Sequence, residues 1–157
     1  MSTLRIAGLG FLAAFLSSCA GGAFDRDWNA AVAAYEAEGA PAEAPFLGPW
    51  TGTWLSDMNA HTGGLRCLVS PVDSGSETTY EFRYHATWGD FFSGGYRADY
   101  EVTPDGKGGF EVKGSKDLGM FGSFDHEGLI QGDAFDSTYA SDKGDHGAFK
   151  LKRPAKD

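Results

Sequence analysis

The chain has 157 residues and a formal net charge of −9, and 41% of its residues are hydrophobic and 14% aromatic. So acidic a chain is repelled by the phosphates of nucleic acid and by acidic lipid headgroups, which excludes both as electrostatic partners. The segment from residue 46 to residue 153 is long and aromatic enough to bury a self-sufficient core, so one globular domain is expected there.

The N-terminal residues have the organisation of an export signal. A short segment with the single cation Arg5 precedes the apolar run Ile6–Phe15, which is too short for a membrane span of ~20 apolar residues. The run ends in Leu16-Ser17-Ser18-Cys19, which resembles the lipobox of bacterial lipoproteins. The resemblance implies that residues 1–18 are a signal peptide and are removed. It also implies that Cys19 is thioether-linked to diacylglycerol and acylated on its new amine.

A lipidated Cys19 makes the membrane the expected partner, because two or more acyl chains hold a protein stably whereas one holds it only marginally. Ala20 follows the cysteine, where an acidic residue signals inner-membrane retention in many such proteins. The resemblance therefore implies a bacterial cell-envelope location, with the outer membrane favoured over the inner. The alternative is an ordinary secretory signal followed by an unrelated cysteine.

An amphipathic helix is predicted near residues 25–38. Its apolar side chains recur at helical spacing and form one stripe, which consists of Phe24, Trp28, Ala31, Val32 and Tyr35. Its polar face is acidic, so we expect the helix to dock on the folded domain in preference to a lipid surface. Residues 39–49 are rich in Ala, Pro and Gly and are typical of a spacer. Residues 19–48 therefore connect the signal peptide to a domain over residues 49–157.

From residue 49 onward the hydrophobic period changes to two, which is typical of strands with one buried and one wet face. The predicted strands are 50–56, 64–71, 79–88, 96–103, 109–115, 119–124, 128–140 and 147–153. Turn sequences separate them, and one of these is Asp125-His126-Glu127-Gly128, which makes His126 a turn residue. About eight antiparallel strands with short connections predict an all-β, up-and-down β-barrel, with a β-sandwich as the alternative.

If consecutive strands alternate in direction, the loops 57–63, 89–95, 116–118 and 141–146 gather at one end, which we name the mouth. Exposed aromatic and polar groups there are typical of a binding site. The candidate ligand-binding residues are Asp57, Asn59, His61, Trp88, Phe91, Phe92 and His146, with Asp90, Lys116, Asp117 and Asp145 beside them. The chain enters the first strand at the opposite end, so we expect the mouth to point away from the membrane.

The interior of the barrel is expected to be crowded. Aromatic candidates for inward positions are Phe82, Tyr84, Tyr96, Tyr100, Phe110, Phe124, Tyr139 and Phe149. An eight-stranded barrel encloses packed side chains or at most one small ligand. A filled core and a core with room for one small apolar ligand are therefore the two alternatives.

The first strand carries a motif that is known from other barrels. Gly52-Thr53-Trp54 resembles the Gly-x-Trp of lipocalins and avidin-like proteins, which are calycin-type barrels whose Trp plugs one end. In lipocalins this Trp packs under an Arg of the last strand. The resemblance implies that Trp54 and Arg153 form such a plug. Ser56 and Ala60 stand where avidin-like proteins carry biotin-binding Asn and Ser, so biotin is not an expected ligand.

Three stretches taken together resemble a family of uncharacterised bacterial lipoproteins, namely WTGTWLSDMNAHTGGLRC, YEFRYHATW and DHGAFKL. This resemblance implies no particular activity. The chain also shows no Gly-x-Ser-x-Gly elbow, phosphate-binding glycine loop or conspicuous carboxylate pair, and nothing in it indicates a cofactor.

Two groups of residues have side chains that could react or bind metal. His61, His146, Asp57 and Asp145 are of the types that ligate zinc, but they form no tight motif and lie in turn-forming sequences. Cys67 alternates inward with its strand and is expected to be a buried structural thiol, since reactive cysteines need exposure and a cationic neighbour.

The sequence is consistent with three functions. The first is a lipid-anchored envelope protein whose barrel binds a small apolar or aromatic ligand, or an envelope protein, without catalysis. The second is a structural or interaction lipoprotein with a filled core. The third is a hydrolytic or metal-dependent enzyme built on a His61/His146 cluster, and the lack of a known catalytic motif favours the first two.

Overall fold

The computed structural model of the chain describes residues 20–73 and 75–155, within which one α-helix precedes eight strands. The predicted signal peptide and Cys19 lie outside the described residues. The elements are α1 (Ala20–Glu38), β1 (Gly48–Ser56), β2 (Thr62–Pro71), β3 (Thr79–Trp88), β4 (Phe92–Pro104), β5 (Phe110–Asp117), β6 (Ser123–Gln131), β7 (Ala134–Ser141) and β8 (His146–Lys152). A short 3₁₀ helix, Gly119–Phe121, lies between β5 and β6.

The strands form a closed antiparallel barrel in chain order, so the predicted up-and-down barrel is confirmed and the β-sandwich alternative is wrong. Closure comes from the pairing of β1 with both β2 and β8. In the β1–β8 pairing Thr51 lies opposite Lys152, and Ser56 lies opposite Gly147. Closing the sheet removes the free first and last edges that would otherwise recruit other chains.

The period-two pattern places large aromatic side chains inside the barrel. The buried ones are Trp50, Trp54, Phe82, Tyr84, Tyr100, Phe124, Phe135, Tyr139 and Phe149. Tyr96 and Phe110, which were also predicted to face inward, are half-buried against this core. Removing one such side chain from water contributes roughly 1.5–3 kcal/mol, so the fold is stabilised mainly by these rings.

The boundary between β6 and β7 differs from the prediction. The predicted turn at 125–128 is continuous strand, and the predicted strand 128–140 is instead divided by a hairpin at Gly132-Asp133. Gly132 has φ 55°, a left-handed conformation that glycine adopts without steric cost and that tight hairpins require. Pairing with strands on both sides overrides the local turn tendency of Asp and Gly. His126 is therefore an inward-facing residue of β6 and not a turn residue.

The loops gather at two ends of the barrel, and the predicted mouth consists of residues 57–61, 89–91, 118–122 and 142–145. The opposite end, which we name the base, carries the β2–β3, β4–β5 and β6–β7 connections. The third base loop lies at 132–133 and not at 125–128. Strand β4 begins at Phe92, earlier than predicted, so the loop that carries Phe91 is short.

Helix α1 docks on the outer wall of the barrel, as its apolar stripe predicted. Phe24 is 2% exposed, and its ring stacks on His85 of β3 with 4.9 Å between centroids. The guanidinium groups of Arg66 and Arg83 lie 5.0 and 5.2 Å from the same ring, which is cation–π geometry. No helix in the part of the chain that the structure describes is long and apolar enough to cross a membrane.

Two ion pairs flank this apolar contact. Asp25 pairs with Arg66 and Asp27 pairs with Arg83, each at 2.7 Å. The ion pair with Arg83 lowers the pKa of Asp27. The acidic residues at the start of α1 therefore take part in docking, although the sequence placed them on the polar face.

The base is closed by Arg153, which follows β8 and is 6% exposed. Its guanidinium lies 3.8 Å from the centre of the Trp50 ring, and Tyr35 of α1 lies 5.0 Å away. It donates hydrogen bonds to the carbonyl oxygens of Pro49 and Leu47, both at 2.9 Å, and to that of Pro45. Burial lowers the pKa of Arg153 to about 10, so it stays cationic at neutral pH.

The prediction that Trp54 forms the plug with Arg153 is therefore wrong, because the tryptophan in contact with Arg153 is Trp50. Trp54 is buried nearer the mouth, where its indole N–H donates to the Thr87 carbonyl at 3.0 Å. The chain has a second Gly-x-Trp, Gly48-Pro49-Trp50, and its Trp is the one beneath Arg153. Both tryptophans have the same strand parity, so alternation alone cannot choose between them.

Double-mutant cycles on the free energy of unfolding in urea test this assignment. We expect Arg153→Met and Trp50→Leu to couple by about 1–2 kcal/mol, because the guanidinium and the indole are in direct contact. Arg153→Met and Trp54→Leu should be additive to within ~0.5 kcal/mol, since four strand residues separate the two tryptophans by ~13 Å. Equal coupling in the two cycles would contradict the assignment.

Candidate binding site at the barrel mouth

The most exposed aromatic side chains of the mouth belong to the β3–β4 hairpin. Trp88 and Phe92 are opposite each other in the strand register, and their rings are nearly parallel, with centroids 6.2 Å apart. Trp88 is half-buried against the core, whereas Phe92 is 61% exposed and Phe91 in the turn is 92% exposed. This hairpin therefore carries apolar surface from the core out into solvent.

Two neighbouring loops extend this apolar surface. Met58 in the β1–β2 loop is 48% exposed, and Met120 in the β5–β6 loop is 80% exposed. Of the six large hydrophobic side chains exposed in the described residues, five lie at the mouth, counting Leu55 at the end of β1, and only Leu129 lies elsewhere. Apolar exposure gathered at one place marks an interaction site, whereas scattered exposure does not.

The sequence does not single out either methionine as a mouth residue. Strand alternation places the loop of Met58 at the mouth, but loop residues have no periodicity that would mark a methionine there as exposed. Residues 119–124 were predicted as a strand, which concealed the loop position of Met120. The three loops lie at the same end of the barrel because each strand is antiparallel to its neighbours in the closed sheet, and the place of Met120 among them follows only once β5 and β6 are known to be separated at residues 118–122.

Of the neighbouring strand pairs in the barrel, β4 and β5 share the fewest paired residues. Their register contains four residue pairs, from Glu101–Lys113 to Pro104–Phe110, although β4 has 13 residues and β5 has 8. Among the described strands, the mouth-side half of β4 is paired with β3 alone. The two strands therefore diverge toward the mouth, between the loops that carry Phe91 and Met120.

Behind this divergence lies a cluster of rings around His126. The centroids of Tyr84, Tyr96, Tyr100, Tyr139 and Phe149 all lie 5.0–6.3 Å from the His126 ring. Tyr96 Oη is 3.3 Å from His126 Nε2, and Nδ1 has no hydrogen-bond partner among the described residues. The upper core is thus aromatic with a few polar atoms. The only sequence signal for the inward position of His126 is the alternation through Phe124, His126 and Ile130.

Burial keeps the titratable groups of this core in their neutral forms. It lowers the pKa of His126 to about 4 and raises the pKa values of Tyr84 and Tyr96 well above their usual range. Cys67 is fully buried, as predicted, and burial raises its pKa as well. A thiol that is neutral and out of contact with solvent is not an activated nucleophile.

The polar residues of the mouth mostly serve its own turns. His61 donates its backbone N–H to Asn59 Oδ1 at 3.0 Å, and Asp57 donates its backbone N–H to the His146 carbonyl at 2.9 Å. His146 Nδ1 lies 3.0 Å from the Gly144 carbonyl oxygen. His61, His146 and Asp57 are all exposed, which is the usual setting for turn residues.

Asp145 differs from these residues because it is 7% exposed. Its Oδ1 accepts a hydrogen bond from Ser56 Oγ at 3.0 Å, and burial raises its pKa. Within residues 20–73 and 75–155, no group of three or more His, Cys, Asp or Glu side chains is placed to hold a metal ion. The structure therefore does not gather His61, His146, Asp57 and Asp145 into a metal site.

Comparison with models of known protein families finds no match. Comparisons with curated proteins and with solved structures find no significant match either.

The buried imidazole predicts a pH dependence of stability. His126 stays neutral in the fold down to about pH 4, whereas the unfolded chain binds a proton near pH 6.5. Stability is therefore complete above the unfolded pKa and is lost as the pH falls from 6.5 toward 4, by up to ~3 kcal/mol. His85, whose pKa is also lowered, acts in the same direction.

Chemical denaturation at pH 7 and pH 5 checks this expectation. His126→Phe should remove the part of the acid-induced loss of stability that is due to His126, because phenylalanine keeps the ring cluster packed and does not titrate. His61→Gln changes an exposed histidine and should leave the loss as it is in the wild type. A His126→Phe variant with the full wild-type loss would show that His126 titrates normally in the fold.

Proposed function

We propose that this chain is a lipid-anchored protein of the bacterial cell envelope that binds a small apolar ligand or an envelope protein at the mouth of its barrel, without catalysis. The observation that carries the binding role is the concentration of exposed apolar side chains at the mouth. Phe91 and Met120 lie on connections between strands of the closed barrel, and Phe92 is the first residue of β4; loops held by a rigid scaffold are where binding residues are commonly found.

The anchoring role is supported by the N-terminal sequence. Cys19 ends a lipobox-like motif after an apolar run of signal-peptide length. The helix begins at the next residue, Ala20, and docks on the barrel. The outer membrane is favoured because Ala20, and not an acidic residue, directly follows the cysteine.

A binding role is favoured over an enzymatic one by the state of the titratable groups. A general base has to be within reach of a substrate and to titrate near the working pH. The buried His126 and Cys67 are held neutral, whereas Asp57 and His61 lie in an exposed loop and His146 is exposed at the start of β8. The enzyme alternative therefore has the least support.

The second candidate is a structural or interaction lipoprotein with a filled core. Ring contacts through the centre of the barrel favour it, for example Phe82 with Tyr100 at 5.1 Å and Tyr139 with Phe149 at 5.2 Å. In this case the mouth surface contacts a macromolecule and no small molecule enters the barrel. The two candidates share the anchor and differ only in the occupant of the mouth.

Membrane retention tests the anchor. Cys19→Ser should move the protein from the salt-washed membrane pellet to the soluble fraction, because neither the thioether nor the N-terminal acyl group can form. Cys67→Ala changes the buried cysteine and should leave the protein in the pellet. If Cys19→Ser stays in the pellet at the wild-type level, the anchor proposal is wrong.

Binding of the neutral dye Nile red tests the mouth. Replacing Phe91 and Phe92 together by Ser should reduce the dye fluorescence, because the largest exposed apolar area is removed. Leu129→Ser, an exposed apolar residue on the wall, should leave the fluorescence unchanged.

Native mass spectrometry of the purified wild-type protein separates the alternatives. A co-purifying apolar molecule supports ligand binding, and a bound metal ion supports the enzyme alternative. If no molecule co-purifies and the double variant binds Nile red as the wild type does, the filled structural barrel is the better description.

A further inference from the structure

The direction of α1 decides which end of the barrel is near the N-terminus. Tyr35, in the last turns of the helix, lies at the base beside Arg153. Phe24, near its start, lies on His85, which is three residues before the mouth end of β3. The helix therefore runs from the mouth toward the base, and the spacer after Gly39 then leads into β1.

The start of α1 lies close to the level of the mouth. His85 is ~10 Å from the end of β3 at Trp88. Ala20 precedes Phe24 by four residues, which moves the chain back by ~6 Å along the helix axis in the direction of the mouth. Ala20 therefore lies within roughly one helical turn of the mouth level, and the predicted lipidation site is the residue that precedes it in the sequence.

The first half of α1 is fixed to the wall and cannot act as a long tether. Phe24 is buried, and the Asp25–Arg66 and Asp27–Arg83 ion pairs lie on either side of it, each at 2.7 Å. The Ala/Pro/Gly-rich segment follows the helix, so it does not lie between Cys19 and the docked segment in the sequence. An acyl group on Cys19 would therefore hold the mouth end close to the bilayer.

The mouth also carries the surface that a bilayer would contact. Phe91 is 92% exposed and Met120 is 80% exposed, and Trp88 lies behind Phe92 with its ring stacked on it. Aromatic and large apolar side chains at a rim are typical of proteins that insert into the interfacial layer of a membrane. The helix contacts β4, so the anchor and the β3–β4 hairpin are on the same side of the barrel.

The charges of the mouth indicate the kind of lipid. The mouth loops carry the exposed carboxylates of Asp57, Asp90 and Asp142, against the exposed ammonium of Lys143. An acidic rim is repelled by anionic headgroups. Contact with the bilayer would therefore be made by apolar insertion among zwitterionic lipids.

We propose that the mouth faces the membrane and that Phe91, Phe92 and Met120 insert into the surface of a zwitterionic phospholipid bilayer beside the lipid anchor. This inference rests on the proposed lipidation of Cys19, and it names the bilayer, in place of an envelope protein, as the macromolecular surface that the rim of the mouth contacts. It reverses the expectation that the mouth points away from the membrane. That expectation used the point at which the chain enters β1 and did not include a helix that runs back along the wall.

Site-specific labelling of the full-length lipidated protein tests the orientation. Cys67 is fully buried, and a lipidated Cys19 has no free thiol, so one introduced cysteine can carry an environment-sensitive fluorophore. Phe91→Cys places the fluorophore at the mouth, Lys107→Cys places it at the base, and Leu129→Cys places it on the wall. All three positions are exposed, so the label should not disturb folding.

Each labelled protein is reconstituted into phosphatidylethanolamine–phosphatidylcholine vesicles and recovered by flotation. The label at position 91 should shift to shorter emission wavelength and lose intensity when the lipids carry a quencher. Labels at 107 and 129 should show neither change. A label at 91 that emits as in water, or stronger quenching at 107, would overturn the proposed orientation.

Two further outcomes separate this inference from the proposals on which it depends. Wild-type protein that does not float with vesicles would overturn the anchor itself, and the orientation with it. The second outcome is a protein that floats with the vesicles while its label at position 91 emits as in water. If the same label is shielded from water in native membranes, an envelope protein covers the mouth. That result would overturn the bilayer contact and leave the anchor in place.

Discussion

Pairing of β1 with β8 is the interaction on which the rest of the structure depends. It closes the sheet and so creates an inside, which the inward-facing side chains of the strands, most of the large ones aromatic, then fill. Arg153 secures this seam, because it follows β8 directly and its guanidinium binds the backbone carbonyls that lead into β1. With the strands paired around the ring, interaction surfaces are restricted to the outer wall and the two ends.

The outer wall is used by α1, and this has a consequence for the mouth. If only a flexible linker joined α1 to the barrel, the barrel could turn in any direction relative to the lipid anchor. Here Phe24 and the two ion pairs on either side of it fix the start of the helix to β2 and β3. The start of α1 and the apolar loops then lie toward the same end of the barrel, and this end could lie against a membrane through apolar contact.

The packing of the barrel interior determines how the stability of the fold depends on pH. The ring cluster around His126 is dense enough to hold the imidazole neutral well below its usual pKa, so the core resists protonation and loses stability in acid. The divergence of β4 and β5 brings Tyr96 of this cluster nearer to the surface than the rings below it. A filled centre and an apolar mouth are therefore compatible, because binding at the rim needs no cavity through the barrel.

The sequence by itself determined the strands with clear alternation, such as 79–88, the docked helix, the barrel class and the buried Cys67, because these depend on the local period of apolar residues. Only the tertiary structure decided three other features: His126 faces inward, Trp50 is the partner of Arg153, and Met120 joins Phe91 at the mouth. Strand pairing on both sides overrides local turn tendency, and strand parity cannot distinguish two tryptophans four residues apart. Loops come together only when the sheet closes.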